Sequence, residues 1–174
     1  MKIYIGGDHA GYELKEKLKE YLGELAKSKI SSEIFDRTNP KDFSGYEVED
    51  KGAFELNPKD DYPDYIKLVV EAVVEGPEQN ERRMGIVLGG SGQGEAMDAN
   101  RLVGVRACEF YGGNLDVVKV CREHNDANIL SLGARFVTEE EAKWAVKIFL
   151  ETPFSGNERH IRRINKIDEL GASS

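Results

Sequence analysis

The 174 residues predict an α/β fold, a five-stranded parallel sheet covered by helices on both faces. Short β-branched runs recur along the chain and alternate with stretches of helical periodicity. Several of the runs are continuously apolar, as in "MGIVL", which suits strands buried on both sides. The length supports one well-formed core and gives no reason to invoke a second, so a single domain over 1–174 is expected.

Taken in order, "KIYIGG" near residue 2 is the first strand, and Leu14, Leu18, Leu22 and Leu25 then recur at helical spacing. "EIFD" near residue 33 reads as the second strand. From Arg37 to Asp61 the chain loses periodicity and is rich in acidic residues, Gly and Pro, so a long surface loop or insertion is expected, with a short strand around Gly52–Leu56. "DYPDYIKLVVEAVVEG" places a proline near a first helical turn and then Ile66, Val69, Val70 and Val73 on one face. "MGIVLGG" near 84, "VRACE" near 105 and "NILSLG" near 128 supply the remaining strands. Thr138 and Glu141 open "TEEEAKWAVKIFL" as a capping box. A last helix, from about Glu158 to Leu170, gathers Ile161, Ile164 and Ile167 on a side to be buried. The chain carries no internal repeat.

Composition narrows the function classes. Forty per cent of residues are hydrophobic and 32% charged, and no apolar stretch approaches the roughly 20 residues that span a bilayer. The N-terminal run turns to glycine and charge too soon for a secretory signal, so a cytoplasmic protein is expected. A net charge of −8 argues against general affinity for nucleic acid, and an anionic ligand would need a local basic cluster. Cys108 and Cys121 stand thirteen positions apart, with neither metal-ligand nor redox spacing, and read as reduced and structural.

In parallel sheets ligands gather outside the carboxyl ends of the strands, which directs attention to "GGDHAG", "GGSGQGE" and "LGAR". Three known glycine motifs fail against the second of these. A phosphate-binding P-loop lacks its lysine, because Gly94 is followed by Glu95. A dinucleotide fingerprint is spaced wrongly, and a serine elbow fails because Gln93 stands where its last glycine belongs. What is left is a strand-to-helix turn whose glycines, Gly90, Gly92 and Gly94, let backbone N–H groups approach a ligand oxygen, with Glu95 near the first helical turn. The simpler alternative is a tight turn in which glutamate favours the helix dipole.

"GGDHAGYELK", "DYPDY", "GGSGQGEAMDANR", "REHNDANILSLGAR" and "ERHIRRI" follow one another in the order of the ribose-5-phosphate isomerase B and galactose-6-phosphate isomerase family, which the chain resembles over nearly its whole length apart from 37–61. The resemblance implies a Rossmann-like three-layer sandwich whose C-terminal helix packs on a partner subunit. It implies a homodimer with shared active sites, some members forming tetramers, and an aldose–ketose isomerase that works on a small-molecule sugar phosphate without metal or cofactor. One branch of the family uses a cysteine in the glycine loop as base. Here Ser91 holds that place, so the chain resembles the branch in which a glutamate four residues on takes over, and Glu95 inherits the role.

The reaction needs a base that removes a proton beside a carbonyl and returns it to the neighbouring carbon. Burial would raise the Glu95 pKa and the helix N-terminus would lower it. Ser91, with the amides around Gly92 and Gly94, would hold the enediolate oxygen; its bland alternative is a helix cap. By resemblance, Asp8 and His124 are the candidates for opening the sugar ring, and Asn125 contacts substrate hydroxyls or the enediolate. Tyr62 is a substrate-side residue or simply a hydrophobic staple. His9, Arg135, Arg159 and Arg163 would bind the phosphate. The two last arginines are four apart on one helix face, a repulsion that a phosphate between them reverses. Arg101 and the pair Met97–Asp98 depart from the family's usual residues one or more turns past Glu95, which bears on substrate detail. The expected reaction interconverts ribose 5-phosphate and ribulose 5-phosphate. The alternatives are a six-carbon substrate of the galactose 6-phosphate or allose 6-phosphate type, and a non-catalytic sugar-phosphate binder.

Overall fold

A computed structural model describes residues 1–27, 46–74 and 82–172. The described elements are β1 (Lys2–Gly7), α1 (Tyr12–Lys27), β2 (Glu47–Asp50), α2 (Tyr62–Val74), β3 (Arg83–Gly89), α3 (Gln93–Ala99), β4 (Ala107–Phe110), α4 (Asp116–Asn125), β5 (Ile129–Gly133), α5 (Glu139–Glu151) and α6 (Glu158–Ala172). All strand pairs are parallel, in the order β2-β1-β3-β5-β4. Strand order reverses at the β1/β3 junction, and that is where an open α/β sheet leaves a crevice at its carboxyl edge.

Side-chain alternation along the strands divides the interior into two layers. Ile3, Ile5, Met84, Ile86, Leu88, Leu130 and Leu132 face α1, α4 and α5, whereas Tyr4, Val87 and Ile129 face α2 and α3. The helical faces expected from spacing are the faces observed: Leu18, Leu22 and Leu25 on α1, and Ile66, Val69, Val70 and Val73 on α2. The α5 capping box forms as expected, with Glu141 N–H donating to Thr138 Oγ1 at 3.2 Å and Thr138 N–H donating to Glu141 Oε2 at 2.8 Å.

The edge strand departs from expectation. "EIFD" lies outside the described residues, and the strand beside β1 is "EVED", Glu47–Asp50, inside the segment expected to be a loop. Gly52–Leu56 is no strand. Gly52 and Ala53 instead close over the end of β1, with Gly7 N–H donating to Gly52 O at 2.8 Å and Ala53 N–H to Gly7 O at 2.7 Å. β2 carries a single apolar residue, Val48, and its anchor is electrostatic. Lys15 of α1 is fully buried and places Nζ 2.7 Å from Asp50 Oδ2, which also takes Lys19 Nζ at 2.5 Å.

The last helix also differs. In the single chain, Ile161 and Ile167 are exposed rather than buried, as is Leu170 at 75%. The apolar side read from sequence is real, with Ile164 half-buried, but nothing else among the described residues covers it.

Candidate active site

The site is built where β1 and β3 end. Asp8 follows β1, buried, and its Oδ1 accepts the N–H groups of Ala10 and Gly11 at 3.0 and 3.3 Å, which fixes the turn into α1. His9 points across to the loop that precedes α2. There Asp60 Oδ1 accepts from the His9 backbone N–H at 3.1 Å and lies 2.6 Å from Nδ1. That double contact holds the Nδ1 proton toward Asp60, so Nε2 is the nitrogen left for another partner. Asp60 went unrecognised in the sequence because nothing in "NPKDDYP" separates it from its acidic neighbours; only the fold places it against His9.

At the end of β3 the glycine loop lies between α2 and the end of β5. Gly92 caps α3 with φ 81°, a left-handed conformation that favours glycine. Ser131 Oγ of β5 donates to Gly92 O at 2.6 Å, while Ala134 and Arg135 donate their N–H groups to Gly89 O and Gly90 O at 2.9 and 3.1 Å. A side chain on Gly89 would overlap the carboxylate of Glu95, so that glycine makes room for the acid. Gly94 does the same for Tyr62: a Cβ there would lie 2.9 Å from the phenol ring. The Arg135 guanidinium stands over Gly90, and Ser91 Oγ accepts the Gln93 N–H at 3.3 Å. The helix cap is thus Gly92, with Ser91 one residue outside it.

Glu95, in the first turn of α3, is only 4% exposed. Burial dominates its electrostatics and raises its pKa, and the negative charges of Asp8 and Glu109 push the same way against backbone hydrogen bonds from its own N–H and from Gly92. The competition left open by the sequence is therefore won by burial. Glu109, on β4 with a buried Oε1 that has no hydrogen-bond partner among the described residues, is a second contributor that the sequence did not mark.

Asp8, His9 and Asp60 also bring one potential ligand atom each within 4.8 Å of one another, and are the set among the described residues that could hold a cation. Two of its atoms are already engaged, His9 Nδ1 by Asp60 and Asp8 Oδ1 by the two amides.

The other expected site residues lie elsewhere. His124 and Asn125 end α4, which runs back down the sheet to the starts of β4 and β5; Arg106, just before β4, donates from Nε to Asn125 O at 2.9 Å. Arg159 and Arg163 ride on α6 at the same edge, where Arg106 also reaches Asp168 at 3.9 Å. The seven residues of β3 alone put this edge about 20 Å from the glycine loop. So the structure brings together Asp8, His9, Tyr62, Gly90, Ser91, Gly92, Gly94, Glu95 and Arg135, and it does not bring His124, Asn125, Arg159 or Arg163 to them within one chain.

That second group has its own order. His160, 2% exposed, stacks against His124 with ring centroids 4.4 Å apart. Arg159 Nε donates to His160 Nε2 at 3.0 Å and Ser155 Oγ lies 2.9 Å from Nδ1, an arrangement that calls for the neutral ring protonated on Nδ1. Burial, with His124, Arg159 and Arg163 nearby, accordingly holds its pKa below the usual value for histidine.

A buried carboxylate against a glycine turn, at the switch point in the strand order of a parallel sheet, is the α/β architecture that gathers a ligand at the carboxyl ends of its strands. The chain belongs to the ribose/galactose isomerase family, whose model matches residues 3–167. It is 36% identical over 170 residues to ribose-5-phosphate isomerase B of Mycobacterium leprae, covering 98% of this chain and 90% of that one. A crystal structure of a ribose 5-phosphate isomerase from Thermotoga maritima superposes with a TM-score of 0.77 at 42% identity, covering 97% of each chain. The ribose-5-phosphate isomerase B of Mycoplasma genitalium with bound ribulose 5-phosphate gives 0.81 at 31% identity, covering 99% of this chain and 97% of that one. No helix among the described residues is long and apolar enough to cross a membrane.

Proposed function

We propose that this protein interconverts ribose 5-phosphate and ribulose 5-phosphate through an enediolate, with Glu95 as the base. The observation that carries the reading is the Glu95 carboxylate, buried at the β1/β3 crevice with its pKa raised, across from Asp8 and His9. Glu95 takes the proton from the carbon beside the carbonyl and returns it to the adjacent carbon. Ser91 and the amides of Gly92 and Gly94 face the oxygen on which charge develops. His9, oriented by Asp60, and Arg135 bind phosphate, and Tyr62 bounds the substrate on the α2 side.

Four of the proposed site residues, His124, Asn125, Arg159 and Arg163, sit on the opposite edge of the sheet, and this supports a homodimer with shared sites. A two-fold axis that sets one chain's lower edge on the other's upper edge makes both contacts at once. The partner's α4 and α6 then deliver a second copy of His124, Asn125, Arg159 and Arg163 to each glycine loop, and the exposed apolar side of α6 is covered in the same step. His124 or Asp8 opens the sugar ring, and the arginine pair completes the phosphate site. Sugar phosphates are retained inside cells by their charge, so the reading places the enzyme in the cytoplasm.

A panel of pentose and hexose phosphates on the purified protein tests this, run with and without a chelator. Turnover of ribose 5-phosphate, unchanged by the chelator, is expected. Preference for a six-carbon phosphate would reassign the substrate, no turnover on any of them would leave a binding protein, and loss of activity with chelator would point to a cation at Asp8, His9 and Asp60.

A further inference from the structure

We propose that Cys108 and Cys121 form a modification site: a dithiol that hydroperoxides close to an intrachain disulfide, tying β4 to α4. Both are free thiols here, and their sulfurs lie 2.7 Å apart. A disulfide bond of ~2.04 Å requires each sulfur to move only about 0.3 Å further. The thirteen-residue spacing hides this, but the fold explains it. Cys108 is two residues from the end of β4, and Cys121 is five residues into α4, which runs back antiparallel over the same strand. At ~3.3 Å per strand residue and ~1.5 Å per helical residue, both side chains sit about 7 Å below the connecting turn. Val118, Cys121 and Phe110 share one buried cluster with Cys108 packed at its margin, so the two sulfurs face each other from the two elements.

The chemistry balances with a hydroperoxide as the oxidant. One thiolate attacks the terminal peroxide oxygen; an S–O bond forms, the O–O bond breaks, and the alcohol (or water, from hydrogen peroxide) departs. The other sulfur then attacks the sulfenic sulfur, the S–S bond forms, the S–O bond breaks, and water leaves. Two electrons pass from the sulfurs to the peroxide, and the thiol protons end in the released molecules. The pair is biased toward one thiolate: the Cys108 thiol and the Arg122 guanidinium draw Cys121 below the usual thiol value, while the Cys121 contact and burial push Cys108 up. Cys108 is the less buried of the two and is the resolving sulfur, which attacks once Cys121 carries the oxygen.

The crosslink leaves the proposed catalytic groups untouched and fixes the helix that carries His124 three residues further on. The test treats the folded full chain with hydrogen peroxide and follows free thiols, intact mass and peptide map. Expected are the joint loss of both thiols, a mass lower by two hydrogens, a Cys108–Cys121 linked peptide that dithiothreitol releases, and a raised Tm for the oxidised chain. In Cys108→Ser the same treatment should instead leave a sulfenic acid on Cys121 that dimedone traps. The proposal is overturned by thiols that persist where free cysteine in the same tube is oxidised, by sulfinic acid on one cysteine with the other still reduced, or by linkage between chains. None of these readouts depends on turnover, so a failed isomerase assay would leave the inference standing.

Discussion

A carboxylate that must take a proton from carbon works best with its pKa drawn toward neutrality, and Glu95 is moved that way by burial more than by any single partner. The same placement has a stability consequence. Because the folded-state pKa lies above the unfolded one, the contribution of protonated Glu95 is fully present below the unfolded pKa and is lost as pH rises through the folded pKa. At neutral pH the charged side chain is therefore a burden on the fold. Glu95→Gln should denature at higher urea than the parent at pH 7, with the difference shrinking below about pH 4, near an unperturbed glutamate pKa. Turnover should drop by roughly 10²–10⁴, the usual contribution of a general base. For the parent enzyme, the acidic limb of kcat/KM should lie above the ordinary carboxylate range. Parent-like turnover in the variant would end the assignment of Glu95. At this scale the sequence was informative wherever a motif names its own residue, as for Asp8, His9 and Glu95. It was silent on Asp60 and Glu109, whose importance comes from what the fold sets beside them.

Elements were legible where periodicity is strong. The α1 and α2 faces and the Thr138 cap follow from local spacing, which needs no tertiary information. The edge strand β2 did not, because "EVED" carries a single apolar residue and its pairing with β1 is supported from outside the strand. That support is the Lys15–Asp50–Lys19 cluster, with Gly52 N–H donating to Asp50 Oδ1 at 2.9 Å. Burial alone would raise the Asp50 pKa, but the two lysines and the Gly52 amide outweigh it and hold it below the usual value. The sign of the linkage is thus opposite to that of Glu95: the stabilisation is present above the unfolded pKa and is lost as pH falls through the folded one. Asp50→Ala leaves Lys15 buried without its main partner and should cost about 3 kcal/mol in urea denaturation at pH 7. Acid unfolding should show the gap between variant and parent closing as the parent's Asp50 takes up its proton. A cost within a few tenths of a kcal/mol would mean that β2 is held by its backbone pairing alone.

On the scale of the whole molecule, the resemblance already implied shared active sites, with Arg159 and Arg163 of the last helix serving the neighbour's, but it did not set His124 and Asn125 apart from Asp8, Ser91 and Glu95 in the same way. The distinction was present in order along the chain. Asp8, Ser91 and Arg135 come just after strands, whereas His124 and Asn125 come at the end of a helix, just before the next strand, which in a parallel sheet is the opposite edge. Motif matching ignores that difference, because it scores residues without direction. The two-fold arrangement makes a sharp prediction from it. Glu95→Gln and His124→Ala should each be nearly inactive as pure proteins, since each spoils one half of every site. Mixed in equal amounts and allowed to exchange subunits, they form a heterodimer in which one site receives both defects and the other receives none. With random pairing half of the dimers are mixed, and half of their sites are intact, so about a quarter of the parent activity should return. The result is the same if dimers pair further into tetramers, provided each site is completed by one partner. If instead every site were built within a single chain, no pairing could restore one, and the mixture would stay as inactive as its components even when native mass spectrometry shows that exchange has occurred.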